Sequence, residues 1–268
     1  VVNTPVYHPF FTVIEELGCR RVEAPLVEGQ LDPEAIERCF ADGAVALLLC
    51  SPHNPMGSVP TREQLVAIAA AAQRHGAWVL ADEIHAPLTL PGARHVPFLS
   101  VSEEAKACGI AFCSASKTFN IAGLGCAQMV VASEASASLV VRLPHGATHC
   151  DQLGVIASVA AFREGAAWLE DVLVVLDHNR RLLTELLAEH VPGVSYREPQ
   201  AGYLAWLDMR ELGLGGDPSE ALLERGRVAL SPGPMFGPQG GGFVRLNFGT
   251  SPALLEEAVE RMARAAFG

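Results

Sequence analysis

Four short apolar runs constrain this chain more than any other feature: VALLLC (45–50), AWVLAD (77–82), IAFC (110–113) and CAQMVVA (126–132). None shows polar alternation, and stretches with helical spacing separate them. A strand wetted on one face needs a period of two, so these runs predict strands buried on both faces. Buried strands separated by helices predict an α/β fold with a mostly parallel sheet sandwiched by helices. The helix signals agree. Asp32-Pro33 opens a helix to about Asp42. Thr61 and Gln64 form a capping box heading a helix to about His75, which Gly76 ends. In such sheets ligands bind beyond the carboxyl ends of the strands. The polar motifs fall there: SPHNPMG (51–57) after the first run, DEIH (82–85) after the second and SASK (114–117) after the third.

From 166 to 190 the spacing of Leu169, Leu173, Leu176, Leu183 and Leu187 predicts one long helix. Beyond it come YLAWLD (203–208) as a strand, a helix from about Asp217, the apolar run VALS (228–231), FVRLNF (243–248) as a strand, and a closing helix opened by Ser251-Pro252. The expected organisation is a large domain over 1–165, a joining helix over 166–190 and a smaller α+β domain over 191–268. SPGPMFGPQGGG (231–242) is so rich in Gly and Pro that a mobile loop beside the site is expected. The chain begins without Met, in a strand-like VVN followed by a Pro-rich turn, and is expected either to be truncated or to start in the middle of a domain.

Composition excludes several partners. Acidic residues outnumber basic ones by 30 to 19, a net charge of −11, which repels phosphate backbones and excludes a nucleic-acid partner. No apolar run approaches the roughly 20 residues of a membrane span, and the start has no signal-peptide pattern. Seven cysteines (19, 39, 50, 108, 113, 126 and 150) form no CxxC pair. Neither a zinc ribbon nor a disulfide framework is expected, and a reducing cytoplasm fits best. His145 and His149 read as loop residues, and no metal site is expected. GLGCAQ (123–128) lacks the last glycine of a dinucleotide fingerprint and precedes a strand, which argues against a nicotinamide dehydrogenase. There is no GxSxG elbow, P-loop or HExxH.

Lys117 follows one buried strand between small hydroxyl neighbours, and Asp82 ends another. Pyridoxal 5'-phosphate chemistry needs a lysine amine, an acid facing the pyridine nitrogen and donors around the phosphate. SPHNPMG, ADEIH, SASKTFNIAGL and FVRLNF stand in the order and spacing of fold-type I aminotransferase-like enzymes. With the PVYHPF opening, the chain resembles their cystathionine β-lyase, or MalY/PatB-type C–S lyase, branch over essentially its whole length. That resemblance implies the cofactor pyridoxal 5'-phosphate, with Lys117 as the Schiff-base lysine and the base that moves the α-proton. It implies Asp82 at the pyridine nitrogen, Asn54 donating to the phenolic oxygen and Tyr7 stacked on the ring as a further catalytic residue. His85 takes a cofactor-side place where many transaminases of this superfold carry a tyrosine. The same resemblance implies that Ser114 and Ser116 bind phosphate and that Arg245 clamps the α-carboxylate of a small amino-acid substrate. A homodimer is implied as well.

Two departures bear on the cofactor. Many members carry an arginine eight residues after the lysine, where this chain has Gly125. The family's stretch before PVYHPF, with its glycine-containing phosphate loop, has no counterpart here, so weak cofactor binding by the chain alone is expected. The implied reaction is β-elimination from cystathionine or a related cysteine thioether to a thiol, pyruvate and ammonia, the thiol (pKa about 8.5) being a good leaving group. The alternatives are an aminotransferase for a small amino acid, separated by pyruvate release without added keto acid, and a non-catalytic effector-sensing or partner-binding remnant of the fold.

Overall fold

The computed structural model describes residues 1–268. The apolar runs form strands β1 (Ala46–Cys50), β2 (Trp78–Asp82), β3 (Gly109–Cys113) and β4 (Gln128–Val131), side by side in that order. β1, β2 and β3 run parallel, and β4 returns antiparallel to β3. The sheet extends past β1 through VVN, which bonds on both sides. Leu48 N–H donates to Val1 O at 3.0 Å, and Val2 N–H donates to Val22 O at 2.9 Å.

Helices α1 (Pro9–Glu16), α2 (Pro33–Ala41), α3 (Arg62–His75) and α4 (Glu103–Cys108) are interleaved with these strands. Two of them start where local chemistry dictates. The Asp32 carboxylate accepts from the Glu34 and Ala35 amides, both at 3.0 Å, satisfying donors that the first turn of α2 leaves free. Thr61 Oγ1 accepts from Gln64 N–H at 3.2 Å while Gln64 Oε1 accepts from Thr61 N–H at 2.9 Å, the reciprocal box at the head of α3. Gly76 ends α3 with φ 64°, a left-handed conformation that glycine adopts without a Cβ penalty.

Side chains alternate across a strand, so Leu47, Leu49, Val79 and Ala81 share one face. They pack with Ile36, Phe40, Leu65 and Ile68 from α2 and α3 into the largest core. Leu48 and Cys50 point the other way, toward Val2, Val6 and Ile14. The first face is buried along β1 and β2, but Val130 of β4, which pairs with Ala111 on that face, is exposed. On the second, Leu48 and Leu80 are only half-buried, so the expectation of full burial on both faces holds for one face of β1 and β2 and fails for β4.

After β4 come α5 (Glu134–Val141), α6 (His145–Thr148), α7 (Gln152–Glu164) and the 25-residue α8 (Ala166–His190). His145 thus opens a short helix instead of lying in a loop, and its ring centroid sits 5.8 Å from that of His149. A second sheet follows, with β5 (Ser195–Tyr196), β6 (Leu204–Asp208), α9 (Pro218–Gly226), β7 (Ser231–Pro232), β8 (Phe243–Asn247) and the closing α10 (Pro252–Phe267). Its order is β5-β6-β8-β7, all antiparallel. Leu176, Leu183 and Leu187 of α8 pack with Leu207, Val244, Leu246, Val259 and Met262 in the second core.

In the run VALS only Ser231 belongs to a strand, and residues 228–230 form no ladder. One expectation is corrected in this half. The segment 231–242 is built, not loose. It holds β7 and two 3-10 turns, Gly233–Phe236 and Pro238–Gly240. Phe236 is fully buried, 5.2 Å from the Trp206 ring. A β-carbon at Gly233 would overlap the carbonyl oxygens of Gly240 and Phe243, so glycine there permits close packing of backbone on backbone.

Candidate active site

The carboxyl ends of β1, β2 and β3 open onto a cavity of about 500 Å³ closed on its far side by the second sheet. Asn54 arrives just after β1, Asp82 ends β2, and Lys117 follows β3. Arg245 comes from the middle of β8, and Tyr7 from the turn before α1. These five and His85 all line the one cavity. Of the residues singled out from the sequence, Ser114 and Ser116 do not. Ser114 Oγ donates to Cys126 O at 2.6 Å and accepts from Ser116 N–H at 3.0 Å. Ser116 lines a neighbouring pocket that meets the first at Lys117.

The charges in the cavity lack ordinary partners. Arg245 Nη1 donates to Asn54 Oδ1 at 3.0 Å and Nη2 to Ser231 Oγ at 3.2 Å, with Cζ 4.8 Å from the Phe236 ring centroid. No carboxylate pairs with it. Burial pulls its pKa down, countered only by Tyr203 and Tyr7. Asp82 is the complement, a partly buried carboxylate whose hydrogen bond is from Ile84 N–H at 3.3 Å. Burial raises its pKa, offset in part by that bond and by the Lys117 charge. His85 is buried with Nδ1 unpartnered. Burial, helped by Lys117 and Arg245, lowers its pKa to about 4. It is therefore neutral at pH 7.

A family model described as aminotransferase class I and II matches residues 1–262. The chain belongs to this family. A Mycobacterium tuberculosis (strain H37Rv) protein provisionally named a cystathionine β-lyase is 47% identical over 98% of this chain and 71% of its own length. Cystathionine β-lyase PatB of Bacillus subtilis is 35% identical over 99% of this chain and 70% of its own. A solved structure from Corynebacterium diphtheriae, provisionally described as a PLP-dependent β-cystathionase, superposes with a TM-score of 0.94 at 38% identity, covering 99% of this chain and 70% of that one.

The cavity suits the cofactor of such aminotransferase-family enzymes on its ring side. Asp82 needs a cationic N–H donor, which a protonated pyridine supplies, and Arg245 needs an anion. Lys117 is one of only two lysines in the chain. The other, Lys106, is spent on Glu103 at 2.5 Å. The phosphate side is thinner, with Gly125 contributing no cation and the Ser114 hydroxyl turned to Cys126. Sequence reasoning passed over His8, Tyr203, Ser231 and Asn247, which also line the cavity. Tyr203 sat inside a run read as a strand, and Ser231 at the edge of a supposed loop. His8 adjoins Tyr7 in PVYHPF, and that adjacency was the available signal.

Proposed function

We propose that this chain is a pyridoxal-phosphate-dependent C–S β-lyase that cleaves cystathionine or a related cysteine thioether to a thiol, pyruvate and ammonia. The observation that carries the reading is the unpaired Arg245 guanidinium facing the same cavity as the unpaired Asp82 carboxylate and Lys117. When bound, the cofactor supplies a protonated ring that takes up the electron pair left as the substrate Cα–H bond breaks.

The chain's own residues do the rest. Arg245 presents a fork that matches the α-carboxylate in two hydrogen bonds. Because its Nη1 already engages Asn54 Oδ1, the Asn54 amide is oriented with Nδ2 left to donate to the phenolic oxygen. Lys117 accepts the α-proton and holds it at Nζ. Asp82 accepts the ring N–H. The Tyr7 ring offers an apolar face to the cofactor, and neutral His85 adds no competing charge. Ser116, beside Lys117, is left for the phosphate with backbone N–H groups, and Ser114 supports it.

Elimination, in preference to transamination, is supported by the names of relatives 35–47% identical over nearly the whole chain. The test supplies pyridoxal phosphate and cystathionine with no keto acid and measures pyruvate. Pyruvate release that disappears in Lys117→Ala is expected. Turnover only with added keto acid makes the chain an aminotransferase. No turnover, with no borohydride-fixed cofactor on the Lys117 peptide, makes it non-catalytic.

Three wider readings belong to this proposal. The two sheets serve as the cores of domains 1–165 and 191–268, joined by α8. The chain pairs as a homodimer, for which α7 is the support: it turns Gly154 and Ser158 inward and leaves Leu153, Ile156 and Phe162 exposed. It works in the cytoplasm, in keeping with seven free cysteines. No helix is long and apolar enough to cross a membrane.

A further inference from the structure

His8 stands at the start of α1 but makes no side-chain cap bond there. Its Nδ1 is buried without a hydrogen-bond partner. Nε2 is then the ring nitrogen left to act in the cavity that His8 lines together with Tyr7 and Arg245. His8 and Arg245 share a support. The His8 ring meets Phe236 edge-on at 6.1 Å and 89°, and the Arg245 guanidinium lies 4.8 Å from the same ring centroid. An imidazole so placed, with no structural bond to keep, is free to exchange a proton with a ligand.

We propose that His8 is a catalytic residue of this site, donating a proton from Nε2 to the departing sulfur; this rests on the lyase reading. The step balances. The substrate C–S bond breaks and its electron pair leaves on sulfur. The pair released from the Cα–H bond becomes the Cα–Cβ double bond, with the α-proton on Lys117. The Nε2 proton completes the thiol, and solvent returns one to the imidazole.

Arg245 times this donor. Tyr7 beside it and Asp82, His85, Lys117, Tyr203 and Arg245 are the titratable or charged groups that share its cavity, and Arg245 is the one whose charge acts on it. Burial first, then that charge, keep the His8 pKa below its usual value in the free site. A substrate carboxylate on Arg245 cancels the second effect, so the His8 pKa rises toward its usual value when a substrate is present, burial still holding it below. The same ion pair that holds the amino acid thus eases protonation of the donor.

The test compares His8→Gln with the unchanged holoenzyme on S-ethylcysteine, whose alkanethiolate needs a proton, and S-(4-nitrophenyl)cysteine, whose thiolate leaves without one. The variant is expected to lose about 10²-fold in kcat/KM on the first and to stay within about threefold on the second. Equal losses on both overturn the proposal while leaving the lyase reading intact. No pyruvate from either thioether with the unchanged enzyme overturns the lyase reading and the proposal with it. A second readout needs no turnover. Imidazole NMR of the cofactor-free chain, assigned with His8→Gln, should show the His8 pKa rising on addition of propionate, and no rise in Arg245→Gln. A His8 pKa that ignores propionate also overturns it.

Discussion

Arg245 joins two functions in one side chain. It carries a positive charge into a cavity where no carboxylate pairs with it, and it fixes the Asn54 amide across 191 residues of sequence with a 3.0 Å bond. Replacing it with Gln leaves Asn54 free to turn and removes the carboxylate clamp. KM for the amino-acid substrate is expected to rise about 10²-fold, the cost of losing one side of a hydrogen-bonded charge pair. Arg245→Lys should recover little of this, because an ammonium keeps the charge but not the planar fork that spans Asn54, Ser231 and a carboxylate together. Steady-state kinetics of the two variants decide the point. A lysine variant with unchanged KM would show that charge alone suffices.

At the scale of elements, what the sequence discloses depends on how local the determinant is. The caps of α2 and α3 were legible because Asp32, Thr61 and Gln64 act within three residues of themselves. α7 was not. Its inward face is made of Gly154 and Ser158 and its apolar side chains face out, so no apolar stripe marks a buried side. α1 lies in a Pro-rich opening and has no side-chain cap to announce it. The segment 231–242 misled for a related reason. Glycine signals either freedom or closeness, and only the fold says which. Gly233 tests the reading, since a methyl group there must displace the Gly240 and Phe243 carbonyls and disturb the turn that carries Phe236. Gly233→Ala is expected to cost about 3 kcal/mol, the upper range for overpacking a filled site, read as a lower urea midpoint. A change within about 0.5 kcal/mol, the usual size for a surface substitution, would mean that the segment is as loose as its composition suggests.

Across the whole molecule, the site lies where one sheet's strand ends face the other sheet. Motifs could nominate Lys117, Asp82 and Arg245 separately, but not the lack of a carboxylate paired with the arginine or the convergence of both halves on one cavity. The same burial leaves a mark on stability that can be measured without any ligand. His53 accompanies His85 in being buried, and desolvation brings each pKa to about 4, the His53 contact with Asn3 O at 3.2 Å offsetting little. The unfolded chain binds protons at these positions near pH 6.5 and the folded chain does not, so between pH 6.5 and 4 the unfolded state holds more protons. Stability must therefore rise with pH across that window, being complete above 6.5 and lost as pH falls toward 4. Asp82 works in the opposite sense. Its raised pKa means that the folded chain keeps a proton longer, so stability falls as pH climbs above its ordinary carboxylate value. The histidines prevail, because they are two against one and the Ile84 amide and Lys117 offset part of the Asp82 shift. Urea midpoints of the cofactor-free chain should climb from pH 4.5 to 7 by an amount corresponding to a few kcal/mol, and His53→Gln should remove about half of the climb. A flat profile over that range would mean that both imidazoles reach water in the folded chain.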